Sequence, residues 1–340
     1  MTSFRTGIIL ANLLALLACS TPPKPEPKPV PASKPAPVHA KPYQAWHPDS
    51  RRFDAARYHL YYGQQSSVLN TIGQQLKKQD LVVLDCRRIK QSVLRNLFSQ
   101  ARQKQARVIG YLSIGELDSR ERDRFDQFVQ NLPPAQHLPF DELALEWNDK
   151  FQSWRVDVSH PLWSLWIDHE LQRLQQQDFH GVFLDTADTV DRYITYPQWS
   201  LTKRTNKVQA MIDLIRRIKN QNPKQFVLLN RGLNLIGERV WLNKCGSDWT
   251  PGLALMLPHA DNPDAVLYEN AFASDDPWSQ RVEADLRASH QSGRTQVLAL
   301  GYRDVLSDRA HFVARCRETG FICAWAESST TLHQSPSTQP

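Results

Sequence analysis

A chain of 340 residues with 41% hydrophobic and 22% charged residues and ten tryptophans has the composition of a globular protein, which excludes a fibrous or wholly disordered one. The formal charge of +6 is concentrated at the N-terminus, where Arg5, Lys24, Lys28, Lys34 and Lys41 face only Glu26. The basic balance is therefore poor grounds for a nucleic-acid-binding fold, and no nucleic-acid partner is expected.

In chain order, Arg5 precedes an apolar run over 7–18, interrupted only by Asn12. The run is too short to span a bilayer and has the form of a secretory signal. It ends in Leu16, Leu17, Ala18 and Cys19, which resembles the lipobox of bacterial lipoproteins. That resemblance implies cleavage before Cys19 and lipidation of its thiol, and Ser20 in the next position implies sorting to the outer membrane. Nine of the 22 prolines fall within residues 20–42. This stretch cannot bury a core and favours extended polyproline II, so 19–42 is expected to be a tether between the membrane and a domain at 43–330. Residues 331–340 are expected to be a disordered tail. With Cys19 assigned to lipid, Cys86, Cys245, Cys316 and Cys323 remain in an oxidising compartment, and the sequence leaves their pairing open.

Beyond residue 43 short β-rich runs alternate with amphipathic ones. Strands are expected at 58–62, 81–86, 107–114, 181–185, 226–230, 265–269, 296–300 and 321–325. Most are continuous apolar runs, the signature of strands covered on both faces. Helical stripes lie between them: Val68, Leu69, Ile72 and Leu76, then Trp163, Ile167, Leu171 and Leu174, then Val208, Met211, Ile212, Ile215 and Ile218. Eight alternations predict an α/β fold of the (β/α)8 TIM-barrel type. A doubly wound sheet is the alternative, disfavoured because no Gly-x-Gly-x-x-Gly follows the first strand. Residues 117–160 are too many for a plain loop. They form an insertion after the third strand, expected to cover the cleft and to offer Trp147 or Trp154 for stacking on sugar.

Acidic residues close several of these strands. Asp85 ends the second, Glu116 follows the third, Asp185 ends the fourth with Asp188 just beyond, and Glu269 ends the sixth. One such acid is often a helix cap. An acid that closes an apolar strand is costly to bury unless it opens into a polar site, and a barrel converges its strand ends on one pocket. Paired carboxylates are what glycosidic cleavage requires, one to protonate the leaving oxygen and one to attack the anomeric carbon or activate water.

The stretches 110–116 (Gly-Tyr-Leu-Ser-Ile-Gly-Glu), 154–163 (Trp-Arg-Val-Asp-Val-Ser-His-Pro-Leu-Trp) and 179–185 (Phe-His-Gly-Val-Phe-Leu-Asp) resemble glycoside hydrolase family 114. These are TIM-barrel endo-α-1,4-polygalactosaminidases, similar also to the hydrolase module of Pel polysaccharide proteins. The resemblance covers about residues 55–327. It implies that Asp185 and Glu269 are the catalytic pair and that Asp85 and Glu116 line the substrate cleft, where Tyr111 and Asp188 are expected to join them. The resemblance together with the longer reach of Glu269 favours Asp185 as nucleophile and Glu269 as acid/base, and a general acid is expected to have a raised pKa. His180 and Thr186 depart from the family pattern, which commonly has Asp and Asn there. An acidic cleft suits a cationic galactosamine polymer, so a polysaccharide is the expected partner, with no cofactor and no metal. A non-catalytic polysaccharide-binding barrel is the alternative. A metal-dependent hydrolase or deacetylase is weaker, since no His-x-His or His-x-x-x-His stands at a strand end.

Overall fold

The computed structural model describes residues 53–221, 223–243 and 246–340. The signal, Cys19, the proline-rich tether and Cys245 lie outside the described residues. Eight parallel strands follow one another around a barrel: β1 (Arg57–Tyr61), β2 (Asp80–Leu84), β3 (Arg107–Ser113), β4 (Gly181–Asp185), β5 (Phe226–Asn230), β6 (Ala265–Glu269), β7 (Gln296–Tyr302) and β8 (Ile322–Ala326). Helices cross over between them, as parallel neighbours demand. The expected stripes face the sheet: Leu69 and Ile72 on Ser66–Gln75, Trp163 to Leu174 on Pro161–Gln176, and Val208 to Ile218 on Leu201–Gln221 are buried. No helix among the described residues is long and apolar enough to cross a membrane.

Strand periodicity sorts the apolar residues into two cores. Val82, Val108, Val182, Val227, Val266 and Val297 point outward beneath the helices. Leu60, Val83, Ile109, Phe183, Leu228, Leu267 and Leu300 fill the barrel interior. The next inward position on most strands is therefore the one that emerges at the C-terminal mouth.

Seven ladders join the eight strands, leaving a seam between β1 and β8. The C-terminal residues, expected to be disordered, fill it. Ser337 N–H donates to the Leu60 carbonyl at 3.0 Å, its Oγ accepts from Leu60 N–H at 3.0 Å, and Thr338 pairs antiparallel with Trp325. Ser337 is 1% exposed. The seam explains the correction: strand edges inside a barrel carry unsatisfied backbone groups, and a short polar segment satisfies them. Cys316 and Cys323 form a disulfide that ties the helix Arg309–Thr319 to β8, and Cys86 is a buried free thiol.

The insertion after β3 is present. Glu116–Asp118, Ala144–Asn148 and Ser153–Val156 form a small antiparallel sheet, with the helix Arg122–Gln130 between the first two. Gly115 starts it at a close approach: a Cβ there would lie 2.2 Å from the Thr186 carbonyl oxygen.

Candidate active site

The mouth is built by one rule. Two residues beyond an inward apolar residue, a strand delivers a polar one: Tyr62 after β1, Asp85 after β2, Tyr111 in β3, and Asp185, Asn230, Glu269 and Tyr302 on β4 to β7. Asn230 joins the two principal acids. Its Nδ2 donates to Asp185 Oδ1 at 2.8 Å and lies 3.4 Å from Glu269 Oε2. Two oxygens sharing one nitrogen at those lengths are at most about 6 Å apart, and roughly 5 Å if the bonds follow the amide's two N–H directions. Inverting hydrolysis needs about 6.5–9.5 Å, whereas retaining hydrolysis uses about 5–5.5 Å.

The two carboxyl groups differ in their surroundings. Glu269 accepts from Arg231 Nε at 2.6 Å and from the Tyr302 hydroxyl at 2.8 Å, so both of its oxygens face donors and one donor is a cation. Burial works against the charge on Arg231, but the Glu269 carboxylate overrides it and raises the guanidinium pKa. Burial and the Glu269 charge keep Tyr302 protonated as a donor. Asp185 has no cation against it. Burial, then the negative charge of Glu269, raise its pKa, and the bonds from Asn230 and Tyr111 only partly oppose this. An upward push thus acts on Asp185, where none was expected. Arg231 is a partner of Glu269 that the sequence does not reveal.

The backbone is constrained at the same points. Thr186, Arg231 and Asn270, each following a polar residue of the mouth, have φ of +65°, +54° and +56°. Left-handed geometry is unusual for a β-branched residue, and such strain gathers at functional sites. Thr186 is held by hydrogen bonds: its Oγ1 accepts from Gly115 N–H at 2.8 Å and lies 2.9 Å from Ser113 Oγ. Its departure from the family pattern is thereby accommodated. His180 sits before β4, at the opposite end of the barrel, where its Nδ1 accepts from Val108 N–H at 3.0 Å. It has no bearing on substrate.

The other expected residues divide. Asp188 is at the site, its side chain 38% exposed and 3.7 Å from Arg231. Burial, together with the charges of Asp185 and Asp191, raises its pKa to about 6 against the pull of Arg231. Asp85 lines the mouth but is neutralised: Arg87 donates to both of its oxygens, at 2.8 and 2.6 Å, and the same guanidinium lies over the Tyr111 ring. Glu116, expected in the cleft, is instead 8% exposed within the small sheet. It accepts from Asn148 and Ser153 and pairs with Arg155 at 3.4 Å, which makes it a structural acid.

Trp147 and Trp154 are also displaced from expectation. Asp118, Arg155 and Glu146 share one face of the insertion sheet and meet Arg87 and Arg192 around the mouth. The two tryptophans are on the other face, packed edge to face at 4.8 Å, with Phe140 against Trp154. An aromatic better placed is Trp278, 39% exposed in the first turn of the helix Pro277–Gln291 that follows β6. Its indole N–H donates to Asn234, which in turn donates to Asp191. Among the described residues no group of three or more His, Cys, Asp or Glu converges as a metal centre.

Comparison with known proteins places this architecture. The glycoside hydrolase domain of PelA from Pseudomonas aeruginosa matches with a TM-score of 0.53 and 18% identity, over 83% of this chain and 98% of that one. A variant of the same domain gives a TM-score of 0.55 at the same identity and coverage. Ega3 from Aspergillus fumigatus, in complex with galactosamine, matches with a TM-score of 0.50 and 13% identity, over 82% of this chain and 92% of that one. At such identities these matches establish the shared barrel fold. No curated protein matches the sequence. The model of glycoside-hydrolase family GH114 matches residues 36–243, more than half of the chain. The chain belongs to that family and is a glycoside hydrolase.

Proposed function

We propose that this GH114 hydrolase cleaves an amino-sugar polysaccharide rich in galactosamine, with retention of anomeric configuration, using Asp185 and Glu269. The single observation that carries the reading is the Asn230 amide shared between the two acids, which holds them closer than an inverting pair allows. The resemblance suggests Asp185 as nucleophile, but the electrostatics support the opposite allocation. Glu269, gripped by Arg231 and the Tyr302 hydroxyl through both of its oxygens, attacks the anomeric carbon. Asp185, whose pKa is raised by burial and by the neighbouring charge, protonates the leaving oxygen and then deprotonates the incoming water. Tyr111 and Asn230 orient Asp185 through both steps.

Several features support a cationic sugar. Ega3, a structural neighbour, was crystallised with galactosamine. Asp188 and Asp191 add negative charge beside the pair, which Arg231 offsets in part. Carboxylates so placed attract an ammonium group, and salt weakens the attraction. The test is incubation of residues 43–340 with galactosamine polymers of graded N-acetylation, reading product length by mass spectrometry. Hydrolysis should be greatest on polymers with free amines and fall as ionic strength rises. Activity confined to neutral glucans would overturn the substrate assignment.

We further propose that the barrel is tethered to the outer membrane through a lipid on Cys19 and the proline-rich stretch 20–42. Cys19→Ala should release the protein from membranes or leave its precursor uncleaved. A variant still membrane-bound and cleaved at the same place would contradict the proposal.

A further inference from the structure

Beside the carboxylate pair the mouth opens into a second recess of about 440 Å3, within the about 300–1,000 Å3 typical of ligand sites. One wall is the Tyr62 ring with His333 tilted against it at 5.8 Å. The other carries Arg87, Arg88, Arg120 and Arg124. The recess neighbours the pair through Tyr111: the Tyr62 ring meets the Tyr111 ring edge to face at 6.0 Å and the Arg87 guanidinium lies over it, and Tyr111 in turn bonds Asp185.

Its charge differs from that of the rest of the cleft. The two carboxylates in its lining are already paired, Asp85 with Arg87 and Glu121 with Arg124. Arg120 is held by Asp118. Arg88 is exposed and has no carboxylate partner among the described residues. The recess therefore offers N–H donors and an aromatic face, carries a net positive charge, and has no free carboxylate for an ammonium group. On the opposite side of the pair stand Asp188, Asp191 and Trp278, where the charge is negative.

We propose that this arginine-walled recess is a saccharide subsite that takes a neutral N-acylated residue of the polymer and excludes a cationic one. An acyl carbonyl accepts from the guanidinium groups while the sugar ring packs on Tyr62, and a protonated amine at the same place meets uncompensated Arg88. The enzyme then cuts at junctions, with free-amine residues on the Asp188 side and an acylated residue on the Arg88 side. This rests on the proposed amino-sugar substrate, but the binding test below does not depend on catalysis.

The experiment uses the inactive Asp185→Asn protein and three probes: oligosaccharides of N-acetylgalactosamine, of galactosamine and of galacturonic acid, titrated by calorimetry with and without Arg88→Glu. Arg88→Glu should weaken the acylated oligosaccharide at least about fivefold and leave the free-amine one unchanged or tighter. Equal affinity for the acylated probe in both proteins would overturn the proposal. So would tighter binding of the acidic probe than of the acylated one, which would make the recess an anion site. In parallel, the active protein, with and without Arg88→Glu, is given polymers acetylated at known positions, and the products are sequenced. If nothing is hydrolysed while acylated binding still depends on Arg88, the catalytic reading fails and the subsite stands. If cleavage proceeds at positions indifferent to acetylation whether or not Arg88 is replaced, the subsite fails and the catalytic reading stands.

Discussion

Asn230→Ala removes the one group that touches both acids. The bond to Asp185 is 2.8 Å, a normal length, and the contact with Glu269 is a long 3.4 Å. A hydrogen bond to a charged group contributes about 1.5–3 kcal/mol, so the shorter bond dominates. Two unit charges about 5 Å apart repel by roughly 3 kcal/mol at an effective dielectric constant near 20. Without the amide to lower it, the Asp185 pKa should rise by about one further unit, since one unit corresponds to 1.36 kcal/mol. Two consequences follow for kcat/KM. The limb that reports loss of the acid's proton moves about one unit toward alkaline pH. The maximum falls roughly 10–100-fold, because neither carboxyl group is held at its reacting distance. The fold should survive, since Asn230 Oδ1 already lacks a partner among the described residues and the one donor lost is that to Asp185 at the mouth. The assay is a pH–rate profile on a soluble oligosaccharide with a thermal melt as control. An unchanged profile and rate in a folded Asn230→Ala protein would refute the shared-amide reasoning.

Further outcomes are expected. Asp185→Asn should cut turnover at least about a thousandfold and yet raise thermal stability at neutral pH. A carboxyl group with a raised native pKa makes the protein less stable as pH rises above its unfolded value of about 3.9, so the gain should vanish near pH 4, and a destabilised Asp185→Asn protein at pH 7 would contradict this. A fluorinated glycosyl inactivator should leave its label on the Glu269 peptide; a label on Asp185 would restore the roles implied by the family resemblance. Glu116→Ala should cost about 1–3 kcal/mol in denaturant unfolding by leaving buried Asn148 and Ser153 without their acceptor, while Arg155 keeps Glu146, with near-normal turnover per folded molecule, whereas a stable but inactive protein would return Glu116 to the cleft. Deleting residues 335–340 should lower stability by about 2–5 kcal/mol through the four seam hydrogen bonds, and an unchanged melting midpoint would show the seam to be closed without them.

Much of the fold was legible because buried parallel strands announce themselves as short apolar runs. All eight were located, and period-two alternation correctly carried Asp85, Asp185 and Glu269 to the mouth. The same rule applied to Leu228 and Leu300 would have reached Asn230 and Tyr302, which an attention to acids alone passed over. Arg231 was harder to see, since its role depends on a left-handed backbone turn that folds the guanidinium back onto Glu269. The two tryptophans were misplaced because the sequence does not show that residues 116–118 pair with 153–155, a register that turns Trp154 and Trp147 to the face away from the mouth, while Glu116, on the mouth-side face, is enclosed by Asn148, Ser153 and Arg155. The C-terminal segment is polar enough to pass for a disordered tail. Its order comes from the open seam between β1 and β8, a property of the closed barrel and not of the segment itself.

On the proposed mechanism Asp185 and Glu269 act at retaining distance on a polymer of amino sugars. Proton NMR of the first product formed from an α-linked galactosamine oligosaccharide, read before mutarotation, tests it most directly. The new reducing end should appear first as the α-anomer, and Asp185→Asn should abolish the signal. First appearance of the β-anomer would show inversion, and with it a water between carboxyl groups that the shared Asn230 amide holds too close together to admit one.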